Sequence, residues 1–293
     1  IAERTLYLPS LAACLLAGYA WDAAMESSQQ ESRKAAYALA IVIIAFFSVR
    51  TVIRNRDWDS LTTVWKSLHR DHPESYRAQW LNAVGMWEQG RPDLAERYFE
   101  FAYRLWDRDS QMITEWGNFY IGQRRYDRAI ELLEKSRAMT PFVPRTHEYL
   151  AYAYLHAGRP RDALTTANHA LTLEAPHPPI LYPVIARAHE RLGNREDAVQ
   201  AWRSTVRFKQ GDLWLNWAML ARAQAATGKK EDALRSADVA LTKTNNDPRS
   251  SGAVRQLKEA INEGCYPPGG ACDPLLSWEV AVGTTAAQAP ARR

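Results

Sequence analysis

One interval governs this chain. Five segments read GRPDLAERYFEFA (90–102), RRYDRAIELLEKS (124–136), GRPRDALTTANHA (158–170), GNREDAVQAWRST (193–205) and GKKEDALRSADVA (228–240). Their first shared alanines, Ala95, Ala129, Ala163, Ala198 and Ala233, lie 34, 34, 35 and 35 residues apart. Self-similarity at such a period marks an array of small units, because one unit cannot bury its apolar face alone and must stack on its neighbours. Five residues before four of these alanines stands a glycine: Gly90, Gly158, Gly193 and Gly228. Arg124 takes the place in the second segment. Twelve residues before each alanine stands another small residue: Ala83, Gly117, Ala151, Ala186 and Ala221. Two antiparallel helices that pack closely need small side chains where they touch and a tight turn, often with glycine, where they join. Three positions beyond the earlier small residue, larger side chains such as Tyr120 and Tyr154 fill the space between helices. The expected fold class is all-α.

This pattern resembles the tetratricopeptide-repeat (TPR) family over roughly residues 57–248, and the resemblance implies a right-handed superhelical solenoid. Five full units are expected at about 76–109, 110–143, 144–178, 179–213 and 214–248. Trp65 and Pro73 fall in phase with a preceding half unit. Its second helix is expected over 58–72, with the apolar helix ahead of it standing in for the first. The C-terminal region, 249–293, reads as a capping helix, a cysteine-bracketed loop and a small, polar, disordered tail.

The first 56 residues read as a membrane anchor of two hydrophobic helices. Residues 6–21 (LYLPSLAACLLAGYAW) and 35–49 (AAYALAIVIIAFFSV) are apolar apart from Ser10 and Ser48, and the second run extends to Ile53 if Arg50 snorkels. Tyr7, Tyr19 and Trp21 stand near the ends of the first run, as an aromatic belt places them. The predicted partner of residues 6–21 and 35–53 is therefore the lipid bilayer, with both chain ends on one side. The chain starts with Ile1 close to an apolar run, without a basic segment ahead of it. That start fits a piece of a longer product better than a signal peptide. Arg50, Arg54 and Arg56 after the second run place the repeats in the cytoplasm by the positive-inside rule. Cys265 and Cys272 argue for the other side: they bracket Tyr-Pro-Pro-Gly-Gly-Ala and form a candidate disulfide, which belongs in an oxidising compartment. With no second cysteine pair and no nearby histidine, they make a poor zinc site.

A second resemblance settles the expectation toward the extracytoplasmic side. Glu3-Arg4-Thr5-Leu6-Tyr7-Leu8-Pro9-Ser10 is similar to the ERLLYLPS segment of TMTC-type membrane proteins, and Arg54-Asn55 with Trp58 suits the same junction. That family joins a multi-spanning O-mannosyltransferase-like region to C-terminal TPRs, so the resemblance implies repeats facing the lumen or periplasm. The family's catalytic carboxylates lie far upstream, and no position in this chain corresponds to them.

The residues carry no P-loop, dinucleotide-binding glycine motif, GxSxG or HExxH, so no catalytic residue, metal or cofactor is called for. With 37 Lys and Arg scattered among 33 Asp and Glu, the net charge of +4 does not point to nucleic acid. What remains is a surface for another protein. In a TPR stack the first helices line the concave face, at about the second, fifth, ninth and twelfth positions of each unit. Those positions hold Arg77, Trp80, Val84, Trp87, Asn118, Arg145, Glu148, Tyr152, Arg187, Glu190 and Arg222. Arginine and aromatic residues dominate interface hot spots, and a line of Arg145, Arg187 and Arg222 suits an acidic or extended peptide. The expected function is a membrane-anchored TPR scaffold, an accessory subunit on the extracytoplasmic face of a larger membrane complex. The alternative is the acceptor-binding part of a protein glycosyltransferase that uses a lipid-linked sugar.

Overall fold

A computed structural model describes residues 14–19, 21–22, 30–60, 63–64, 67, 70, 72–173 and 177–264. Every regular element among them is helical. The chain divides into two units, Ile1–Ala78 and Gln79–Arg293.

The first unit contains α1 (Gln30–Asn55), followed by a 3-10 turn at Arg56–Trp58. The helix carries a stretch long and apolar enough to cross a membrane, with a mean hydropathy of 2.2 and none of it buried. It is the one such helix among the described residues. Of the first predicted span, residues 14–19 and 21 are helical and the rest lies outside the described residues. The Trp21 ring meets Tyr37 of α1 edge-on, with centroids 5.4 Å apart. Beyond the 3-10 turn, Ser60 and Thr63 cap each other reciprocally, Ser60 N–H donating to Thr63 Oγ1 at 3.0 Å and Thr63 N–H to Ser60 Oγ at 3.2 Å. Such a pair satisfies the open amides at a helix start, and residues 63–64, 67 and 70 are helical.

The repeat region is a run of helix pairs: α2 (Tyr76–Glu88) with α3 (Pro92–Leu105), α4 (Ser110–Gly122) with α5 (Tyr126–Met139), and α6 (Pro144–His156) with α7 (Pro160–Leu171). There follow α8 (Pro178–Leu192) with α9 (Arg195–Arg207), α10 (Trp214–Ala226) with α11 (Lys230–Thr242), and a final helix α12 (Pro248–Asn262). Proline opens α3, α6, α7, α8 and α12, where its missing N–H and fixed φ cost nothing.

All five turns within the pairs close in the same way. The amides of Arg91, Arg125, Arg159, Asn194 and Lys229 donate to the carbonyls of Met86, Tyr120, Tyr154, His189 and Gln224, at 2.9 to 3.0 Å. This is the Schellman closure, which needs a left-handed residue just ahead of the donating amide. Gly90, Gly158, Gly193 and Gly228 supply it with φ of 73° to 79°, and Arg124 adopts φ of 58° in the one turn without glycine.

The alanines that mark the period are buried, and so are the small residues facing them on the first helices. At Gly117 the approach is closest: a Cβ there would sit 2.6 Å from Cγ of the buried Leu133. First helices of neighbouring pairs pack on one another more closely than second helices do, so first helices form the inner side of the stack. Val254, Leu257 and Ile261 of α12 close the last pair by packing on Ala218, Ala221, Ala233 and Ala237. The expected capping helix is thus buried along one face and solvated along the other.

Candidate functional site

On the inner face the predicted residues fall into three groups. Trp80, Val84 and Trp87 are half-buried and pack on the core. Trp87 stands edge-on to Phe119 at 5.6 Å and reaches the backbone at Gly122, where a Cβ would lie 3.0 Å from its ring. Trp87 is thus a wedge between the first helices α2 and α4, and Trp80 is core packing more than open contact area.

The second group is tied up in ion pairs. Arg145 Nη1 donates to Glu115 at 3.2 Å, and Arg222 Nη2 donates to Glu190 at 2.6 Å. Glu190 also accepts from the Trp202 indole at 2.9 Å. The buried Glu148 meets His177 Nδ1 at 2.6 Å. Each pair links residues about one repeat apart, so the line of arginines is partly neutralised by carboxylates from adjacent units. Arg77, in the first unit, donates through Nε to the Tyr76 hydroxyl at 3.0 Å.

The third group is uncommitted: Asn118, Tyr152 and Arg187. Tyr152 lies tilted against His156 with centroids 4.3 Å apart, and Tyr126 stacks on the same imidazole at 5.2 Å. Burial pushes the His156 pKa down to about 4, and Arg187, Arg191 and Arg124 push it the same way. Burial likewise raises the Tyr152 hydroxyl, with Tyr126 adding to it. Neither Arg187 nor Arg124 has a carboxylate partner among the described residues, and Arg191 donates to the Leu155 carbonyl. Two tyrosines and a neutral histidine therefore form an aromatic floor beside three guanidinium groups, with a net positive potential. Sequence reasoning found Tyr152 and Arg187. It missed Arg124 in a pair turn, Tyr126 at the start of α5, and His156 and Arg191 near the ends of the first helices α6 and α8.

The repeats are also stapled by polar groups. The Tyr120 hydroxyl donates to Glu96 Oε1 at 2.8 Å, while Arg125 donates to both Glu96 oxygens at 2.7 and 2.8 Å and lies over the Tyr120 ring at 4.6 Å. In the next unit Tyr154 donates back to Glu134 of the unit before it, with Arg159 over its ring at 4.4 Å. Burial, then the carboxylate hydrogen bond, pushes both tyrosines up to about 12. No group of three His, Cys, Asp or Glu among the described residues is placed to hold a metal ion. The candidate disulfide, Cys265 and Cys272, lies outside the described residues.

Two stretches, residues 76–100 and 114–178, match the tetratricopeptide repeat family. Over those stretches the helix pairs from α2 to α7 are tetratricopeptide repeats. Among curated proteins the chain is similar to the Drosophila melanogaster Protein O-mannosyl-transferase Tmtc3, with 25% identity over 207 residues, 69% of this chain and 21% of that protein. It is 33% identical to Drosophila melanogaster Protein O-mannosyl-transferase Tmtc2 over 105 residues, 36% of this chain and 11% of that one. The Homo sapiens Protein O-mannosyl-transferase TMTC3 shares 25% over 152 residues, 52% of this chain and 16% of its own. The chain thus matches only a minor part of each of these longer proteins. Among solved structures it resembles PilW, a widely conserved type IV pilus biogenesis factor, with a TM-score of 0.60 and 14% identity over 73% of this chain and 98% of that one. Pseudomonas aeruginosa pilF gives 0.56 and 16% over 71% and 93%. YrrB, a TPR protein with an unusual peptide-binding site, gives 0.52 and 14% over 65% and 97%. At these identities the structural likeness speaks for the fold.

Proposed function

We propose that the chain is a membrane-anchored TPR scaffold whose inner face holds an acidic or extended segment of a partner protein, on the extracytoplasmic side of a larger membrane complex. The observation that carries this reading is Arg187, which lies beside Tyr152 on the inner face with no carboxylate to neutralise it among the described residues. Arg145 and Arg222 frame it from the neighbouring units, and their carboxylate partners exchange for those of a ligand. Helix α1 supplies the anchor, its apolar side chains having no protein to bury them among the described residues.

A photo-cross-linking amino acid at Asn118 tests the reading in the intact chain in its native membrane. It forms an adduct with a specific protein, and Arg187→Glu abolishes that adduct while leaving the helical content intact. An adduct that persists at full yield in Arg187→Glu removes the inner face from the function. Trp80 and Trp87 are unsuitable for this purpose, because their packing makes loss of binding and loss of fold hard to separate.

A second reading is favoured by the relatives, several of which are named protein O-mannosyl-transferases. In that reading the TPRs present an acceptor protein to a lipid-linked-sugar-dependent glycosyltransferase, and the chemistry resides outside the residues of this chain. Sugar on the cross-linked partner separates the two: a mannosylated partner supports the transferase reading, and an unmodified, stoichiometric one supports the scaffold.

A further inference from the structure

The two edges of the repeat stack differ. Within each pair the turn lies at one edge, and the loop leading to the next pair lies at the other, because successive helices run antiparallel. The exposed large apolar side chains of the repeats cluster at the second edge: Trp106 is 48% exposed, Phe142 79%, Ile180 51% and Leu213 55%, with Phe101, Leu105 and Phe208 beside them. The turn edge offers none. Its residues are small, polar or cationic: Gln89 and Arg91, Gln123 to Arg125, Ala157 to Arg159, Gly193 and Asn194, and Thr227 to Lys229.

Charge at the loop edge is equally one-sided. The carboxylates of the described loop residues are all committed: Asp107 to Lys135 at 3.3 Å, Asp212 to Lys243 at 2.6 Å, and Asp109 and Asp247 to the helix starts they cap. Arg104, Arg108, Arg137, Arg207 and Lys209 have no carboxylate partner among the described residues, and Arg104 lies over the Phe101 ring at 5.7 Å. Isolated bulky apolar tips separated by unpaired cations form no continuous dry patch of the kind at the centre of a protein interface. They match what sits at a bilayer surface, where single aromatic and aliphatic side chains enter the headgroup layer and Arg and Lys meet anionic lipid.

We infer that the inter-repeat loop edge, led by Phe142, Ile180 and Leu213, lies against the anionic headgroup layer of the membrane and leaves the polar turn edge in water. The inference rests on the proposed anchoring, and it assigns a second contact to the repeats apart from the inner face.

The full chain, with its own cysteines replaced by serine, is labelled with an environment-sensitive fluorophore at Phe142→Cys or at Arg161→Cys. It is reconstituted into phosphatidylcholine vesicles containing phosphatidylglycerol and brominated lipid. The label at 142 loses most of its emission to the brominated lipid and is shielded from aqueous iodide, whereas the label at 161 behaves in the opposite way. Deuterium uptake by the unaltered chain is the second measurement: adding phosphatidylglycerol to the vesicles slows uptake at 138–143 and 206–213 and leaves 156–161 unchanged. A chain that floats with the vesicles but has an iodide-accessible label at 142 and uniform uptake overturns the inference alone. A chain that does not float removes the anchoring and the inference together. Shielding at 142 that appears only when a partner protein is added makes this edge a protein surface and also overturns it.

Discussion

Arg124 stands where four sister turns place glycine, and its backbone carries the same left-handed conformation, φ 58°. A side chain in that region costs about 1–2 kcal/mol through its Cβ, against which the looser unfolded chain of a glycine variant takes back about 0.5–1 kcal/mol. Arg124→Gly should therefore raise stability by about 0.5–1 kcal/mol in urea unfolding, and Gly158→Ala should lower it by about 1 kcal/mol. If Arg124 is kept for the positive potential around Tyr152 and His156, the stabilised variant binds its partner more weakly. The tyrosine staples give a pH signature. Tyr120 and Tyr154 titrate near 12 in the folded chain against 10.0 when unfolded, so folding favours their neutral form. The stability they contribute is complete below pH 10 and disappears as pH rises toward 12. Chemical denaturation across that window should show a fall that Tyr120→Phe and Tyr154→Phe together flatten.

For the helix pair α4–α5 the closest approach is Gly117 against Leu133, where other pairs have alanine in the glycine's place. Gly117→Ala should cost about 1–3 kcal/mol by overpacking, and Leu133→Ala in the same chain should recover part of that cost, a coupling that a double-mutant cycle measures. This contact was legible in the sequence, since small residues twelve positions before each marker alanine announce where helices touch. A neighbouring feature was hidden. Thr114 Oγ1 lies 2.7 Å from Ser136 Oγ and 2.9 Å from Thr146 Oγ1, and Ser136 Oγ donates to the Ser110 carbonyl at 2.9 Å. These buried hydroxyls join two repeats, yet in the sequence they look like ordinary solvated threonine and serine. The ion pairs of Arg145 and Arg222 were hidden for a similar reason. Their partners, Glu115 and Glu190, lie 30 and 32 residues away, and only the stacking of units brings them within reach. Repeat phase specifies which backbone positions meet, and side-chain pairing across units depends on details outside that phase.

At the scale of the molecule, the core of the repeats is in two parts. One cluster runs from Ala83 to Ala223, and a second gathers α10, α11 and α12 around Ala233, Ala237 and Leu257. In a stacked array stability is a sum over units and the interfaces between neighbours, so the smaller, alanine-rich cluster should open first. Native-state hydrogen exchange is expected to show α11 and α12 exchanging through a lower-energy opening than α4 to α7, and Leu257→Asp should abolish protection in α12 without altering α4. Equal opening energies throughout would show one cooperative block instead. The cap also bears on how such an array changes in length over generations. Val254, Leu257 and Ile261 face inward while Arg255, Gln256 and Glu259 face solvent, so α12 accepts a neighbour on one side only. A duplicated unit placed after it would find no seat. Lengthening is therefore expected upstream of Pro248, in whole units that keep the spacing, with α12 as a fixed stop for a measure that can vary behind it.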